Sequence, residues 1–373
     1  MRIVMIRSNP VKPDSRVEKE AVSLVTEGHE VTVLCWDRDS NHRPEYGTIE
    51  VIGIDIPIVR IGYDAEFGVG KKSLVPFTKF QFAMMRWLIK NRKQYDAIHA
   101  CDFDTACFSS MLASVYKKKF VFDIFDFVAG EPKNLFQRLV KKMQFRIIRK
   151  ADATIICTED RKRQIAGAKP RRLTVIHNSP FEEQMKQERK VFRKNTDKIA
   201  VAYVGILQDY RLLKEIGAYF EKHSEYEWHV GGFGKYRDYF ESLDKKNENI
   251  FFYGRIPYED TLALEAECDI MLAVYDPAIE NHRYAAPNKF YEALMLGKPV
   301  MMVQGTGMSE VVERERIGCV IAYSEDGFSE GMHRLVTERK YWGEMKGKMQ
   351  LLYQKEYSWE RMKRRLLKLY DEI

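Results

Sequence analysis

Residues 268–303 read CDIMLAVYDPAIENHRYAAPNKFYEALMLGKPVMMV. Ile270–Val274 is a short unbroken apolar run of the kind that fills a buried parallel strand, and Pro299–Val303 is a second. Between them, Pro287 stands where a first helical turn tolerates proline, because its missing N–H would be unpaired there anyway. The helix runs on to Leu296, and Gly297 ends it. The loop before it carries Glu280, Asn281, His282, Arg283 and Tyr284; Asn288 and Lys289 open the helix, and Glu292 follows one turn later. Such side chains bind hydroxyls and phosphates, and here they gather at the positive end of a helix dipole. The stretch is suited to a small anionic ligand.

The same alternation recurs outward from this stretch. Arg2–Ile6 reads as a strand and Arg7–Asp14 as a loop; a helix follows with an S-x-x-E capping pattern at Ser15 and Glu18 and with Val17, Ala21, Leu24 and Val25 on one face. Gly28 closes that helix before the strand Val31–Cys35, which makes a βαβ unit and implies a parallel sheet. Strand patterns at Ile49–Ile54, Ile56–Ile61, Ala97–Ala100, Phe120–Asp123, Thr154–Cys157 and Leu173–Ile176 complete a first half. The charged, weakly periodic interval 181–197 separates it from a second, in which Ile199–Val204, Glu227–Val230, Ile250–Tyr253, the opening stretch and Cys319–Ala322 supply strands. The expected division is therefore 1–180, a linker 181–197, 198–355, and a C-terminal helix 356–373. Paired α/β halves place strand C-termini, helix N-termini and loops toward a shared ligand cleft.

Composition narrows the class without choosing a function. The 373 residues are 45% hydrophobic and 31% charged, ordinary for a globular protein. The net charge of +7 suits nucleic acid, an anionic membrane surface or phosphorylated ligands, and no recognisable nucleic-acid module accompanies it. No secretory leader pattern opens the sequence, and no uncharged run reaches the roughly 18 residues a spanning helix needs. The six cysteines are scattered, without C-x-x-C or histidine at metal spacing, and read as reduced core residues of a cytosolic protein.

Several segments together resemble glycosyltransferase family 4: DSRVEKEAVSLVTEGHEVTVL (14–34), YDAIHACDFDTA (95–106), VFDIFDF (121–127), KADATIICTED (150–160), VIHNSP (175–180), VAYVGILQDYRLL (201–213), YGRIP (253–257), CDIMLAVYD (268–276) and PNKFYEALMLGKPV (287–300). The resemblance covers most of the chain. It implies the GT-B fold, two Rossmann-like domains with parallel sheets facing across a cleft, the first binding acceptor and the second the donor nucleotide. It implies a retaining hexosyl- or related transferase that takes its sugar from a nucleoside diphosphate, UDP being the expected one, without a metal or other cofactor.

On that resemblance, Glu292 would hold the ribose hydroxyls of the donor, a task a carboxylate performs by accepting from both vicinal O–H groups. Lys289 and Asn288 would stand near the phosphates. Tyr284 occupies the position where many relatives have a sugar-side glutamate. Gly205 would let the backbone approach the donor, and Arg211, opening a helix expected over Arg211–Phe220, would grip its diphosphate; Ile206 replaces the usual basic residue after the glycine, and Lys214 is a candidate substitute. Gly232, Arg255 and Ile256 fall on the nucleotide side. Phe125 stands where relatives often carry a sugar-contacting histidine, leaving Asp126 and His99 as candidate catalytic groups and Arg16 as a candidate on the acceptor side. Asp102-Phe103-Asp104 imitates a metal-binding D-x-D but reads as a helix cap.

Two basic segments remain. Phe77–Lys93 puts Phe77, Phe80, Met84, Trp87 and Leu88 on one helical face and Lys79, Arg86, Lys90 and Lys93 on another, and Gln137–Lys150 is similarly basic. They suit either an anionic bilayer surface or an ordinary solvated helix face. The expected function is transfer of a sugar to an acceptor hydroxyl with retention, the acceptor a lipid-linked glycan in surface polysaccharide synthesis. The expected site of action is the cytosol or the inner face of the cell membrane. The alternatives are a non-catalytic, membrane-associated partner subunit of a glycosyltransferase and a GT-B sugar-nucleotide epimerase.

Overall fold

The computed structural model of the chain describes all residues except Ser40, 66–73, Ala129, Lys133, 183–190 and 193–196, so most of the linker expected at 181–197 lies outside the described residues. The chain divides into two units, Met1–His177 with Met362–Ile373, and Asn178–Arg361.

The first unit runs β1 (Arg2–Arg7), α1 (Ser15–Thr26), β2 (Glu30–Asp37), β3 (His42–Val51), β4 (Ile54–Gly62), α2 (Leu74–Lys90), β5 (Ala97–Cys101), α3 (Asp102–Val115), β6 (Lys119–Ile124), α4 (Leu135–Lys150), β7 (Ala153–Ile156), α5 (Arg161–Ile165) and β8 (Leu173–Val175). Its sheet has the order β3-β4-β2-β1-β5-β6-β7-β8. All pairs are parallel except β3 with β4. That pair is an antiparallel edge on an otherwise parallel sheet. Ile52 and Gly53 both take positive φ, 52° and 72°, and form the tight turn that reverses the chain into an edge hairpin. From β1 the chain moves to β2 and β4 on one side, then crosses to β5, β6 and β7 on the other. The C-terminal ends of β1 and β5 therefore flank a topological switch point, where open α/β sheets leave room for ligands. The cap of α1 lies one residue earlier than the S-x-x-E pattern suggested. Asp14 accepts from the Val17 N–H at 3.3 Å, and Glu18 Oε1 accepts from the Asp14 N–H at 3.0 Å.

The second unit runs β9 (Ile199–Ile206), α6 (Leu213–Lys222), β10 (Tyr226–Phe233), α7 (Arg237–Lys246), β11 (Ile250–Phe252), α8 (Tyr258–Glu267), β12 (Ile270–Ala273), α9 (Glu280–Arg283), α10 (Asn288–Leu296), β13 (Val300–Val303), α11 (Ser309–Glu315), β14 (Gly318–Ile321), α12 (Glu325–Thr337) and α13 (Trp342–Leu352). Helix α14 (Trp359–Asp371) begins here, and its residues from Met362 onward belong to the first unit. The sheet is parallel throughout, in the order β11-β10-β9-β12-β13-β14. Its central strands are apolar at every position because both faces are covered. Ile270 and Leu272 join a core with α6 and α12, while Met271 and Ala273 join another with α10 and α13. Met301 and Val303 alternate with Val300 and Met302 in the same way. Here the switch point lies between β9 and β12.

The C-terminal residues are tied into the first unit by polar contacts within its core. Arg365 donates to the Val175 carbonyl at 3.0 Å, and Lys363 pairs with Glu27 at 2.7 Å. Deeper in, the Tyr370 hydroxyl and His99 Nδ1 share a 2.9 Å hydrogen bond. His99 Nε2 faces Glu20 and Asp123, at 3.4 and 3.5 Å. Arg16 completes the cluster, donating to Asp123 at 2.7 Å and to the Ile176 carbonyl at 2.8 Å. A buried polar group that loses its partner costs more than the bond itself contributed. Tyr370→Phe is therefore expected to lower unfolding free energy by about 1–3 kcal/mol in a urea titration; an unchanged midpoint would show that the bond does not anchor the tail.

Candidate active site

In the second unit the switch point gathers most of the donor-side residues singled out in the sequence. Gly205, next to last in β9, is in register with Gly232 on β10. Gly232 has φ +142°, and a Cβ there would overlap the Gly205 carbonyl oxygen, so only glycine fits. A Cβ on Gly205 itself would lie 2.7 Å from Lys289 Nζ. Lys289, in the first turn of α10, reaches back across the β9 end and sits 4.9 Å from the centre of the Tyr203 ring. Burial opposes its charge, but the Tyr275 and Tyr203 hydroxyls and the Glu292 and Glu265 carboxyls outweigh burial, and the ammonium is held above its ordinary pKa. It stays a cation at neutral pH.

Arg211 approaches from the β9–α6 loop, which takes left-handed backbone at Tyr210 and Leu212, with φ 67° and 55°. Its guanidinium stacks 4.0 Å from the centre of the Tyr275 ring, and Nη1 lies 3.1 Å from His282 Nε2. His282 Nδ1 is 2.8 Å from the Asp276 carbonyl, so an imidazole protonated on Nδ1 donates there and accepts from Arg211. Arg211 thus precedes α6, which starts at Leu213 rather than at 211 as expected from the sequence. Lys214, the suggested substitute for the residue at 206, lies 4.8 Å from the Tyr236 ring. With Asp209, Tyr210, Tyr236 and Tyr323 it lines a cavity of about 330 Å³ beside that loop.

Glu292 is only 2% exposed, and its Oε1 accepts from the Tyr258 hydroxyl at 2.9 Å. Burial and the Glu292 charge push the neighbouring Glu265 well above the usual carboxylate range. Asn288 accepts from the Asn178 side-chain amide. Tyr284 is half-buried, its N–H 3.2 Å from the Asn281 carbonyl at the end of α9. Ile256 packs on Gly231, 3.1 Å from where a Cβ would stand, and the exposed Arg255 stacks 4.9 Å from Phe233. Pro287 caps α10 instead of entering its first turn, and Gly297 closes it at φ 68°.

In the first unit the structure differs more from expectation. His99 has no exposed surface; the Tyr370, Glu20 and Asp123 side chains enclose it, so the residue expected to meet substrate is a core residue. Arg16 is likewise 3% exposed, its charge matched by Asp123 and Glu20 instead of offered to an acceptor. Burial opposes the Asp123 charge, yet Arg16 and His99 hold that carboxyl below its usual pKa, while burial and Asp123 raise Glu20 well above its own. His99, Cys101 and Asp123 offer ligand atoms within 4.8 Å of one another. The Arg16 cation already occupies Asp123, and burial keeps the Cys101 thiol protonated, which makes this a poor cation site.

The surface of the switch point is formed by other residues. Arg7 donates to Asp14 at 2.8 Å and to Asp102 at 2.5 Å. Asp102 Oδ1 in turn accepts from the backbone N–H groups of Phe125 and Asp126, at 2.9 and 3.0 Å. Asp102 is thus neither a metal ligand nor a helix cap; its φ of +70° aims the carboxylate sideways to hold the β6–α4 loop. The Phe125 ring lies between two guanidiniums, 4.3 Å from Arg7 and 4.6 Å from Arg16. Asp126 keeps 68% of its side chain exposed beside Arg161, the one expected catalytic group that faces solvent. Nothing in the local pattern distinguished Arg7, Tyr258 or Tyr275 from ordinary strand-end and helix residues.

The sequence matches two family descriptions, Glycosyltransferase Family 4 over residues 16–179 and Glycosyl transferases group 1 over residues 200–338. It has no match among curated proteins. Solved structures resemble it along its whole length. Sucrose-phosphate synthase from Thermosynechococcus elongatus is 15% identical with a TM-score of 0.78, covering 100% of this chain and 98% of that one. Anabaena HepE in complex with UDP and glucose is 12% identical, TM-score 0.71, covering 100% of both chains. The catalytic domain of starch synthase IV from Arabidopsis thaliana, bound to ADP and acarbose, is 13% identical, TM-score 0.67, covering 100% of this chain and 99% of that one.

Burial pushes Asp102 up to about 6 despite Arg7 beside it. An acid whose folded pKa is raised binds its proton more tightly when folded, so its contribution to stability falls as pH rises from about 4 to about 6. Asp102→Asn cannot titrate and tolerates positive φ. Compared by denaturation across that window, the wild type is expected to lose about 2–3 kcal/mol relative to the variant. Parallel profiles would show that Asp102 ionises normally.

Proposed function

The chain belongs to glycosyltransferase family 4 and has its GT-B fold, and we propose that it moves a hexosyl or related sugar from a nucleoside-diphosphate sugar to an acceptor hydroxyl with retention. The carrying observation is the convergence on α10 and the β9 end of two cations and a carboxylate: Lys289 against Gly205, Arg211 against His282, and Glu292 one turn along. A nucleoside diphosphate presents a diol at one end and a diphosphate at the other, and this set matches both. HepE has been captured with UDP and with UDP-glucose, and the starch synthase domain with ADP, which supports a nucleotide in the corresponding unit here.

In this reading Glu292, fixed through Oε1 by Tyr258, accepts from the ribose hydroxyls. Arg211, Lys289 and the α10 N-terminus face the diphosphate, where negative charge grows as the glycosidic C–O bond breaks. The acceptor oxygen bonds to the anomeric carbon on the face the diphosphate leaves, and the acceptor proton passes to the departing phosphate oxygen. Positive charge at the leaving group comes from the protein's own side chains, so the reaction in this reading requires no metal. Asp126 is the group placed to orient an acceptor or sugar hydroxyl. UDP is the expected nucleotide, and the expected acceptor is a lipid-linked glycan of surface polysaccharide synthesis, met at the inner face of the cell membrane.

Purified protein supplied with a panel of UDP, GDP and dTDP sugars tests this. Glu292→Ala is expected to lower kcat/KM at least roughly a hundredfold with unchanged circular dichroism, and Lys289→Ala to lower kcat roughly 10²–10³-fold, as loss of a charge-stabilising donor does elsewhere. Full turnover by Glu292→Ala would remove it from the site.

A further inference from the structure

Helices α2, α3 and α4 pack side by side on one face of the first sheet. Each has an inward stripe that accounts for the core, such as Phe80, Met84 and Leu88 on α2 and Val140, Ile147 and Ile148 on α4. The aromatic stripe that the sequence offered as a membrane face on α2 is this core stripe. Yet the same helices expose a second set of large apolar side chains. Phe82 on α2 is 69% exposed and Met111 on α3 is 50% exposed, while Leu135 and Phe136 on α4 are both 73% exposed and Leu139 follows at 51%. Most of the exposed large apolar residues of the described chain lie between positions 74 and 143. Scattered surface apolar residues are ordinary, but a set spanning three adjacent helices marks an interaction surface.

Charge identifies the partner. Segments 74–93, 105–122 and 134–151, which hold these helices past the first turn of α3, contain fourteen Lys and Arg and no Asp or Glu. The remaining 47 Lys and Arg share the rest of the chain with all 54 Asp and Glu. The chain is thus net acidic apart from one carboxylate-free, cationic and apolar layer. A protein interface carries both signs on its rim, whereas an anionic bilayer offers one sign above hydrocarbon. Long Lys and Arg side chains can lie along that boundary with their charges at the headgroups while Phe and Leu enter it. Because β4, β5 and β6 are parallel, the N-termini of α2 and α4, which expose Leu74, Val75, Leu135 and Phe136, lie at the strand C-terminal end, the same end as Asp102 and Asp126. We propose that the outer layer of α2, α3 and α4 docks on an anionic lipid bilayer and so holds that end of the first unit at the membrane surface. The proposal does not depend on which sugar or nucleotide is used.

The test is co-sedimentation of the full chain with phosphatidylcholine vesicles, with and without phosphatidylglycerol, at low and raised salt. Retention on anionic vesicles alone, weakened by salt, is expected. Leu135→Asp and Phe136→Asp should each weaken it roughly tenfold or more. Arg138→Glu, Lys142→Glu and Arg146→Glu together should weaken it at least roughly a hundredfold. Nucleotide binding followed by calorimetry should be the same in all of these variants, which separates failure of docking from failure of the transferase reading. Three results would overturn the proposal: no retention, equal retention on neutral vesicles, or retention indifferent to all five substitutions. Self-association without vesicles that Phe136→Asp abolishes would also overturn it and assign the layer to a protein partner.

Discussion

A side chain at position 232 would collide with the Gly205 carbonyl oxygen, and at 205 the Lys289 ammonium fills the space that a side chain would take. That paired absence of Cβ atoms on neighbouring strands is the constraint on which the second unit's site depends. It lets the β9 and β10 backbones lie close together, and a cation anchored on α10 reaches the β9 end at the switch point. The tyrosines around it, Tyr203 and Tyr275, shield Lys289 and Arg211 without neutralising them. The site thus brings cations to one end of α10 and the Glu292 carboxyl one turn away.

The first unit meets the opposite problem. Its charges are drawn inward, with Arg16, Asp123, Glu20, His99 and Tyr370 packed beneath the sheet's switch point and bonded to the returning C-terminal residues. Buried pairs of this kind add little net stability relative to an apolar core, but breaking one partner leaves the others unsatisfied. Above them, Arg7 and Asp102 present a second tier that fixes the Phe125–Asp126 backbone. This end of the first unit is thus organised by contacts to backbone, with the Phe125 ring packed against two guanidiniums.

The alternation of strand and helix, the end of α10 at Gly297 and the place of Glu292 on that helix were legible because they follow from short-range rules: apolar runs, dipole ends and left-handed glycines. The pattern misplaces the α6 start and runs a strand through the β3–β4 turn because Tyr210, Leu212 and, beside Gly53, Ile52 take positive φ, which residues other than glycine do not announce. His99 was misread for a different reason. A histidine in a short strand looks the same whether the space beside it is open or filled by a tyrosine 271 positions later in the chain. The outer apolar set on α3 escaped notice because Phe108, Met111 and Val115 sit in a helix with little amphipathic contrast, and only burial separates their face from the core face.

The central claim is that Glu292, oriented by Tyr258, recognises the ribose end of a nucleoside diphosphate. The most direct measurement is a calorimetric cycle titrating UDP and its 2′,3′-dideoxy analogue into the wild type and into Glu292→Ala. The account requires the wild type to bind UDP more tightly than the analogue by roughly tenfold or more, as loss of hydrogen bonds to a charged group entails, and the variant to bind the two alike. Equal affinities in the wild type, or the same preference surviving in the variant, would contradict it.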